Sequence, residues 1–178
     1  MKKFIYSIMF LASAAMMSSC GHELLGPKDE VGGTATELMA GEWMVHVDGV
    51  DASGEVTMED PFGVGSFEML TFNTAENVEN KMFIDDEGNF WEIKGVVNCN
   101  LSDLSFSATG VANEYYDMTF DVMNGKIIPG AAHSELFGHV TDSICFEIKL
   151  SDDDYIGEYW DALRISGHRR TGFDQGAE

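Results

Sequence analysis

Residues 116–128 read Tyr-Asp-Met-Thr-Phe-Asp-Val-Met-Asn-Gly-Lys-Ile-Ile. Tyr116, Met118, Phe120 and Val122 alternate with Asp117, Thr119 and Asp121. A period of two puts the two sets on opposite faces of a β-strand. One face is aromatic and apolar, the other acidic and polar. That contrast belongs to an antiparallel sheet with one packed face and one wet face. Asn124-Gly125 comes next, with Lys126-Ile127-Ile128 beyond it. The pair predicts a tight hairpin here, because both central residues of a type I′ turn need positive φ.

The same period recurs on both sides of this stretch. Trp43, Val45 and Val47 alternate with Met44, His46 and Asp48. Residues 49–65 hold Gly, Asp and Pro61 and read as a long loop, with a poor strand near Glu55–Met58. Strands follow at Phe67–Asn73, and at Met82–Asp85 and Phe90–Val97, which flank an Asp86-Glu87-Gly88-Asn89 turn. Leu104, Phe106 and Ala108 alternate with Ser105 and Ser107; Ile144, Phe146 and Ile148 alternate with Cys145, Glu147 and Lys149. Leu163, Ile165, Gly167 and Arg169 alternate with Arg164, Ser166, His168 and Arg170. This predicts about eight or nine short strands with turn signals every ~8–12 residues, an all-β antiparallel barrel or sandwich. The outward faces carry Asp, Glu, Lys and Ser, which excludes the lipid-facing band of a membrane-spanning barrel.

Charge narrows the function classes. The chain has 178 residues, 31 Asp plus Glu against 10 Lys plus Arg, and a formal charge of −21. Such a surface repels phosphate and excludes nucleic acid as a partner. A hydrophobic content of 44% with 11% aromatics is ample for a core, so the chain is not disordered throughout.

The N-terminus reads as a targeting segment. Lys2 and Lys3 precede a 14-residue apolar stretch, Phe4–Met17, interrupted by Ser7 and Ser13. The stretch falls short of the roughly 20 residues of a transmembrane helix and matches a secretory signal peptide. Ser18-Ser19 before Cys20 resembles the lipobox of bacterial lipoproteins, with Met17 where Leu is commonest. The resemblance implies cleavage before Cys20, lipidation of that cysteine, and membrane attachment in the cell envelope as an outer-membrane lipoprotein. An ordinary signal peptide with an incidental cysteine is the alternative. Cleavage would leave 159 residues carrying −23, since it removes Lys2 and Lys3 but no acid. The expected division is 1–19 signal peptide, 20–37 flexible tether with a short helical turn near Ala35–Met39, and 38–178 a single β-domain.

Gly41-Glu42-Trp43 at the start of the first strand resembles the G-x-W signature of the lipocalin and calycin barrels. In that group the tryptophan closes one barrel end and an arginine near the last strand packs across its ring. Strand parity points Arg169 inward with Leu163 and Ile165 and points Arg170 outward, so Trp43 and Arg169 are the expected pair. The stretches VGGTATELMAGEWMV, NKMFIDDEGNFW and ISGHRRTGF resemble Bacteroidetes lipoproteins described as lipocalin-like or as lipid-binding putative hydrolases. The likeness spans roughly residues 31–173. It implies a lipid-anchored, up-and-down calycin-type barrel with a small ligand of unstated identity; the G-x-W with the inward Arg169 and the aromatic strand faces make the expected ligand apolar and lipid-like. Phe67, Met69, Trp91, Ile93, Tyr116, Met118 and Phe120 are the candidate lining, although a barrel of this size either fills with side chains or holds one ligand. A second reading makes the barrel a surface interaction module of an outer-membrane uptake complex, with Tyr115, Tyr155, Tyr159 and Trp160 as a platform.

Catalysis finds little support in the sequence. There is no G-x-S-x-G elbow, H-E-x-x-H or paired Cys-x-x-Cys, so no catalytic residue, metal or cofactor is assigned. His22, His46, His133, His139 and His168 are scattered and read as surface residues. Ser134, His133 or His139, and Glu135 could be drawn as a triad, but geometry and not proximity defines one. The acidic runs at 85–89 and 152–154 read as solubilising turns, with a structural calcium as the alternative. Cys99 and Cys145 read as free thiols, with pairing in an oxidising compartment as the alternative.

Overall fold

The computed structural model describes residues 33–134 and 138–171. The signal segment, Cys20 and His22, Glu135 of the conceivable triad, and the last residues from Gly172 lie outside them. A short 3₁₀ turn, Glu37–Met39, leads into nine strands. These are β1 (Gly41–Val50), β2 (Val56–Glu59), β3 (Phe67–Asn73), β4 (Lys81–Asp85), β5 (Lys94–Asn100), β6 (Ser105–Ala112), β7 (Thr119–His133), β8 (Val140–Leu150) and β9 (Ala162–Arg169). Residues ahead of β1 already belong to the packed unit. Thr36 and Met39 are buried, and the Ala35 N–H donates to Asn77 Oδ1 at 2.8 Å.

All neighbouring strands are antiparallel. β1 pairs with β3 through Gly41–Val45 and with β9 through Trp43–Val50. That second pairing closes β1 and β3–β9 into an eight-stranded up-and-down barrel. Closure leaves those eight strands without a free edge. β2 is an extra strand, paired along the end of β1 at Asp48–Val50. Inward residues alternate through much of the barrel, most regularly in β1, β3, β5 and β8, while β2 is exposed throughout. Trp43, Val45, Val47, Met69, Met82, Ile84, Val97, Phe146, Ile148 and Ile165 have no accessible surface at all. No water-sized void therefore touches them, and this middle section of the barrel is filled with side chains.

One expectation is overturned. Asn124-Gly125 is not a hairpin turn, because β7 runs straight through it from Thr119 to His133. Asn124 does take positive φ, 54°. The register against β8 slips between Met123 and Lys126, so the pair forms a β-bulge. β8 is long enough to pair with both halves, and Gly125 is needed for contact with β6: a Cβ there would lie 2.4 Å from the Phe106 carbonyl oxygen. β7 instead continues to His133, and β8 begins at Val140, antiparallel to it. The segment before the bulge is also shorter than expected, since Tyr116 and Met118 precede β7.

Up-and-down topology sorts the connections. Those between β3 and β4, β5 and β6, and β7 and β8 lie at one end, with the start of β1 and the end of β9. Those spanning 51–66, 86–93, 113–118 and 151–161 lie at the other.

Candidate functional site

At the end where β1 begins, the Arg169 guanidinium carbon lies 4.6 Å from the Trp43 ring centroid. The Trp43 indole N–H donates to Thr71 Oγ1 at 2.8 Å, and the Thr71 hydroxyl donates to the Met39 carbonyl at 2.6 Å. Arg169 also donates to Asp142 Oδ2 at 3.1 Å and to the Ala40 carbonyl. Strand ends leave orphan carbonyls, and this arginine satisfies one while covering the indole. An open depression beside it is lined by Gly41, Glu42, Leu70, Thr71, Phe72, Arg169 and Arg170. Its cations are already engaged, since Arg170 pairs with Glu68 at 3.1 Å and with Glu42 at 3.4 Å.

The opposite end is aromatic. Phe62, from the connection after β2, sits with its ring centroid 5.1 Å from Trp91, 5.5 Å from Phe90 and 5.5 Å from Trp160. Phe90 in turn stacks on Phe67 at 5.4 Å. Edge and tilted contacts of this kind suit the ring quadrupole and add to plain burial. Beside this plug the turn between β8 and β9 brings two more rings against Trp160. Tyr155, Tyr159 and Trp160 stand at mutual centroid distances of 5.8–6.1 Å. The Tyr159 N–H donates to the Tyr155 carbonyl at 3.1 Å, and this single turn is what places the two phenols side by side. Trp160 is nearly buried because it lies over Gly49, where a Cβ would come within 3.0 Å of its ring. Met58, Pro61, Phe62, Tyr155, Tyr159 and Trp160 wall an open cleft of about 240 Å³. A second, shallower depression of about 360 Å³ lies among Phe90, Trp91, Glu92 and Tyr116.

Carboxylates hold this aromatic end in shape. Asp86 is fully buried and accepts backbone N–H bonds from Gly88, Phe90, Trp91 and Ile93 at 2.8–3.3 Å. It fixes the loop that presents Phe90 and Trp91. Asp152 accepts from the Trp91 indole at 3.1 Å and from the Tyr116 hydroxyl at 2.8 Å, joining three connections. Asp153, also buried, accepts from the Trp160 indole and from the Tyr155 N–H, both at 2.9 Å. On the outer face, Lys94 pairs with Asp85 at 2.9 Å, and the Tyr115 hydroxyl donates to the same carboxylate at 2.8 Å. Burial works to raise the Asp85 pKa. Bonds from Lys94, the Glu87 N–H and Tyr115 outweigh it and hold the carboxyl below its usual range. The Tyr115 phenol is pushed up to about 12 by its bond to Asp85, and Tyr116 to about 12 by desolvation and its bond to Asp152. Neither phenol is poised as a nucleophile near neutral pH.

The proposed lining residues divide. Phe67, Met69, Ile93, Met118 and Phe120 are buried in the core cluster. Trp91 packs against that cluster from the rim, and Tyr116 is exposed beside it. Any ligand reaching the first five must displace packed side chains. Of the residues read as a platform, Tyr115, Tyr155 and Tyr159 are exposed and Trp160 is not. Phe62 was not singled out from sequence, because a lone aromatic after Pro61 in a Gly-rich loop carries no period.

Other motifs have structural partners. Ser134 is buried; its Oγ accepts from the His139 N–H at 3.2 Å, and the His133 ring nitrogen lies 3.1 Å from the Gly138 carbonyl. His168 is a correction to the surface reading: it faces outward yet is buried, set between Met44 and Ser143 in the strand register. Among the described residues no group of three or more His, Cys, Asp or Glu is arranged to hold a metal ion. Cys99 and Cys145 are free thiols, and burial raises the pKa of both.

No curated protein matches the sequence. A family model described as "lipid-binding putative hydrolase" matches residues 28–174, which takes in the whole barrel and its plugged aromatic end. The chain belongs to this family of lipid-binding proteins.

Proposed function

We propose that this protein is a lipid-anchored component of the bacterial cell envelope that binds a small apolar, lipid-like molecule without transforming it. The observation that carries the reading is the cleft of Met58, Pro61, Phe62, Tyr155, Tyr159 and Trp160 at the end of the barrel away from Trp43 and Arg169. Its walls are thioether, ring and proline surface, with no Ser, Cys, His, Asp or Glu among them. Such a surface gains by removing apolar area from water and offers no general base to a bound ester. The family supports a lipid ligand.

Attachment through a lipidated Cys20, in the outer membrane, completes the proposal and rests on the lipobox-like Met17-Ser18-Ser19-Cys20. Several acyl chains on one cysteine anchor firmly, since each buried methylene adds ~0.8 kcal/mol. Cys20→Ser is expected to move the protein from the membrane to the soluble fraction.

Native mass spectrometry of the protein purified from its envelope tests ligand binding. The expected spectrum shows an apolar adduct that Trp160→Ala diminishes. A bare mass, together with no uptake of added amphiphile, would sink the proposal. The exposed Tyr115, Tyr155 and Tyr159 favour a second reading, a docking module for an outer-membrane protein. Crosslinking in intact envelopes that captures one membrane protein, lost in Tyr155→Ala, would support it.

A further inference from the structure

The connections around the cleft are acidic, and the basic side chains that reach this end are already engaged: Arg164 donates to the Gly54 carbonyl at 2.6 Å and pairs with Glu147 at 3.1 Å, and Lys94 pairs with Asp85 at 2.9 Å. The four connections at its end, 51–66, 86–93, 113–118 and 151–161, carry fourteen Asp and Glu and no Lys or Arg. Behind the Tyr159 and Trp160 wall lies a small depression of about 120 Å³ that these two share with Asp51, Glu158 and Asp161. Bonds from the Ser53 hydroxyl and from backbone N–H groups hold Asp51 below the ordinary carboxyl range, so it stays charged. An anionic headgroup approaching this end meets repulsion and finds no cation in these four connections.

The rings supply the other half of the argument. Tyr155, Tyr159 and Trp160 form a triangle about 6 Å on a side, and Tyr155 and Tyr159 are 49% and 50% exposed. Aromatic rings that line a cleft attract a cation whose charge is spread over alkyl groups where it reaches their faces, and the two half-exposed tyrosines are the accessible rings here. Carboxylates set behind the rings strengthen the attraction without displacing the ligand's apolar contacts. The chain already uses the same interaction on its outer face. There the Lys94 ammonium lies 5.6–5.9 Å from the ring centroids of Phe72, Phe83 and Tyr115.

We propose that the cleft selects an amphiphile with an alkylated ammonium head, seated against Tyr155, Tyr159 and Trp160 with its tail toward Phe62 and Met58. This deepens the lipid-binding reading and rests on it. Calorimetric titrations with decyltrimethylammonium, monodecanoylglycerol and decanoate, each below its micelle concentration, test it. They are run at about 0.15 M salt, where charges beyond about 8 Å are screened. The cation is expected to bind about 10-fold tighter than the neutral glyceride, and decanoate weaker than either. Tyr155→Leu with Tyr159→Leu keeps apolar walls and every acid, and is expected to bring the cation down to the glyceride's affinity. Equal affinity of the glyceride and the cation in the parent protein overturns this proposal and leaves the lipid-binding reading standing. A cation preference that survives the double substitution also overturns it, because net charge alone would then account for the preference. If none of the three binds, both readings fall.

Discussion

Asp86 shows how much one carboxylate decides. Four backbone N–H groups converge on it, so the loop carrying Phe90 and Trp91 has no comparable partner without it. Each buried donor left unsatisfied costs about 1–3 kcal/mol, and some of these will find water. Asp86→Ala is therefore expected to lower unfolding free energy by about 2–4 kcal/mol in urea titration. Asp152→Ala, which breaks two exposed bonds, should cost less than about 1 kcal/mol. Tyr115 and Tyr116 give a pH dependence. Their phenols hold protons to about 12 in the folded state against 10.0 ordinarily. The stability this contributes is complete below pH 10 and is lost as pH rises through about 12. Thermal melts are expected to fall over that window, and less steeply in the Tyr115→Phe, Tyr116→Phe variant. At this scale the sequence was only partly legible. The run Asp85-Asp86-Glu87 reads as a solubilising turn, yet Asp85 and Asp86 are buried and bonded, because the partners that draw them in come from later positions.

Period, at the scale of the element, was legible wherever a strand has one packed face. Strands β1, β3 and β8 follow the alternation read from their residues, whereas β9 departs from it at the buried His168. The Asn124-Gly125 hairpin failed for a physical reason. Positive φ at Asn suits a bulge as well as a turn, and only the partner strand decides which forms. Gly125→Ala is expected to cost about 1–3 kcal/mol by overpacking, since its Cβ would press on Phe106. Asn124→Gly keeps the φ of 54° at no steric cost and should change stability by less than about 1 kcal/mol. Denaturant midpoints of the two variants check the pair. A true turn would have tolerated Gly125→Ala no better, but it would not have placed the damage on β6. Backbone exchange near Phe106 therefore locates the effect.

At the scale of the whole molecule, the barrel has two unlike ends. One is tied by Trp43 and Arg169; the other is plugged by rings and ringed by acids. A ligand bound only by the folded barrel adds about 2.7 kcal/mol at a free concentration 100-fold above Kd. The melting point should then rise by about 5–11 °C for a domain of this size, and the rise should vanish in Trp160→Ala. The sequence by itself determined an all-β antiparallel chain with a strongly acidic surface, because side-chain alternation and charge are local properties. It also carried the G-x-W likeness and the parity that turns Arg169 inward. Only the tertiary structure decided that the strands close through β1 and β9, that the middle of the barrel is filled, and that Phe62 joins Trp91 to Trp160. Those outcomes depend on which distant segments meet, and packing between residues a hundred positions apart leaves no period in the chain.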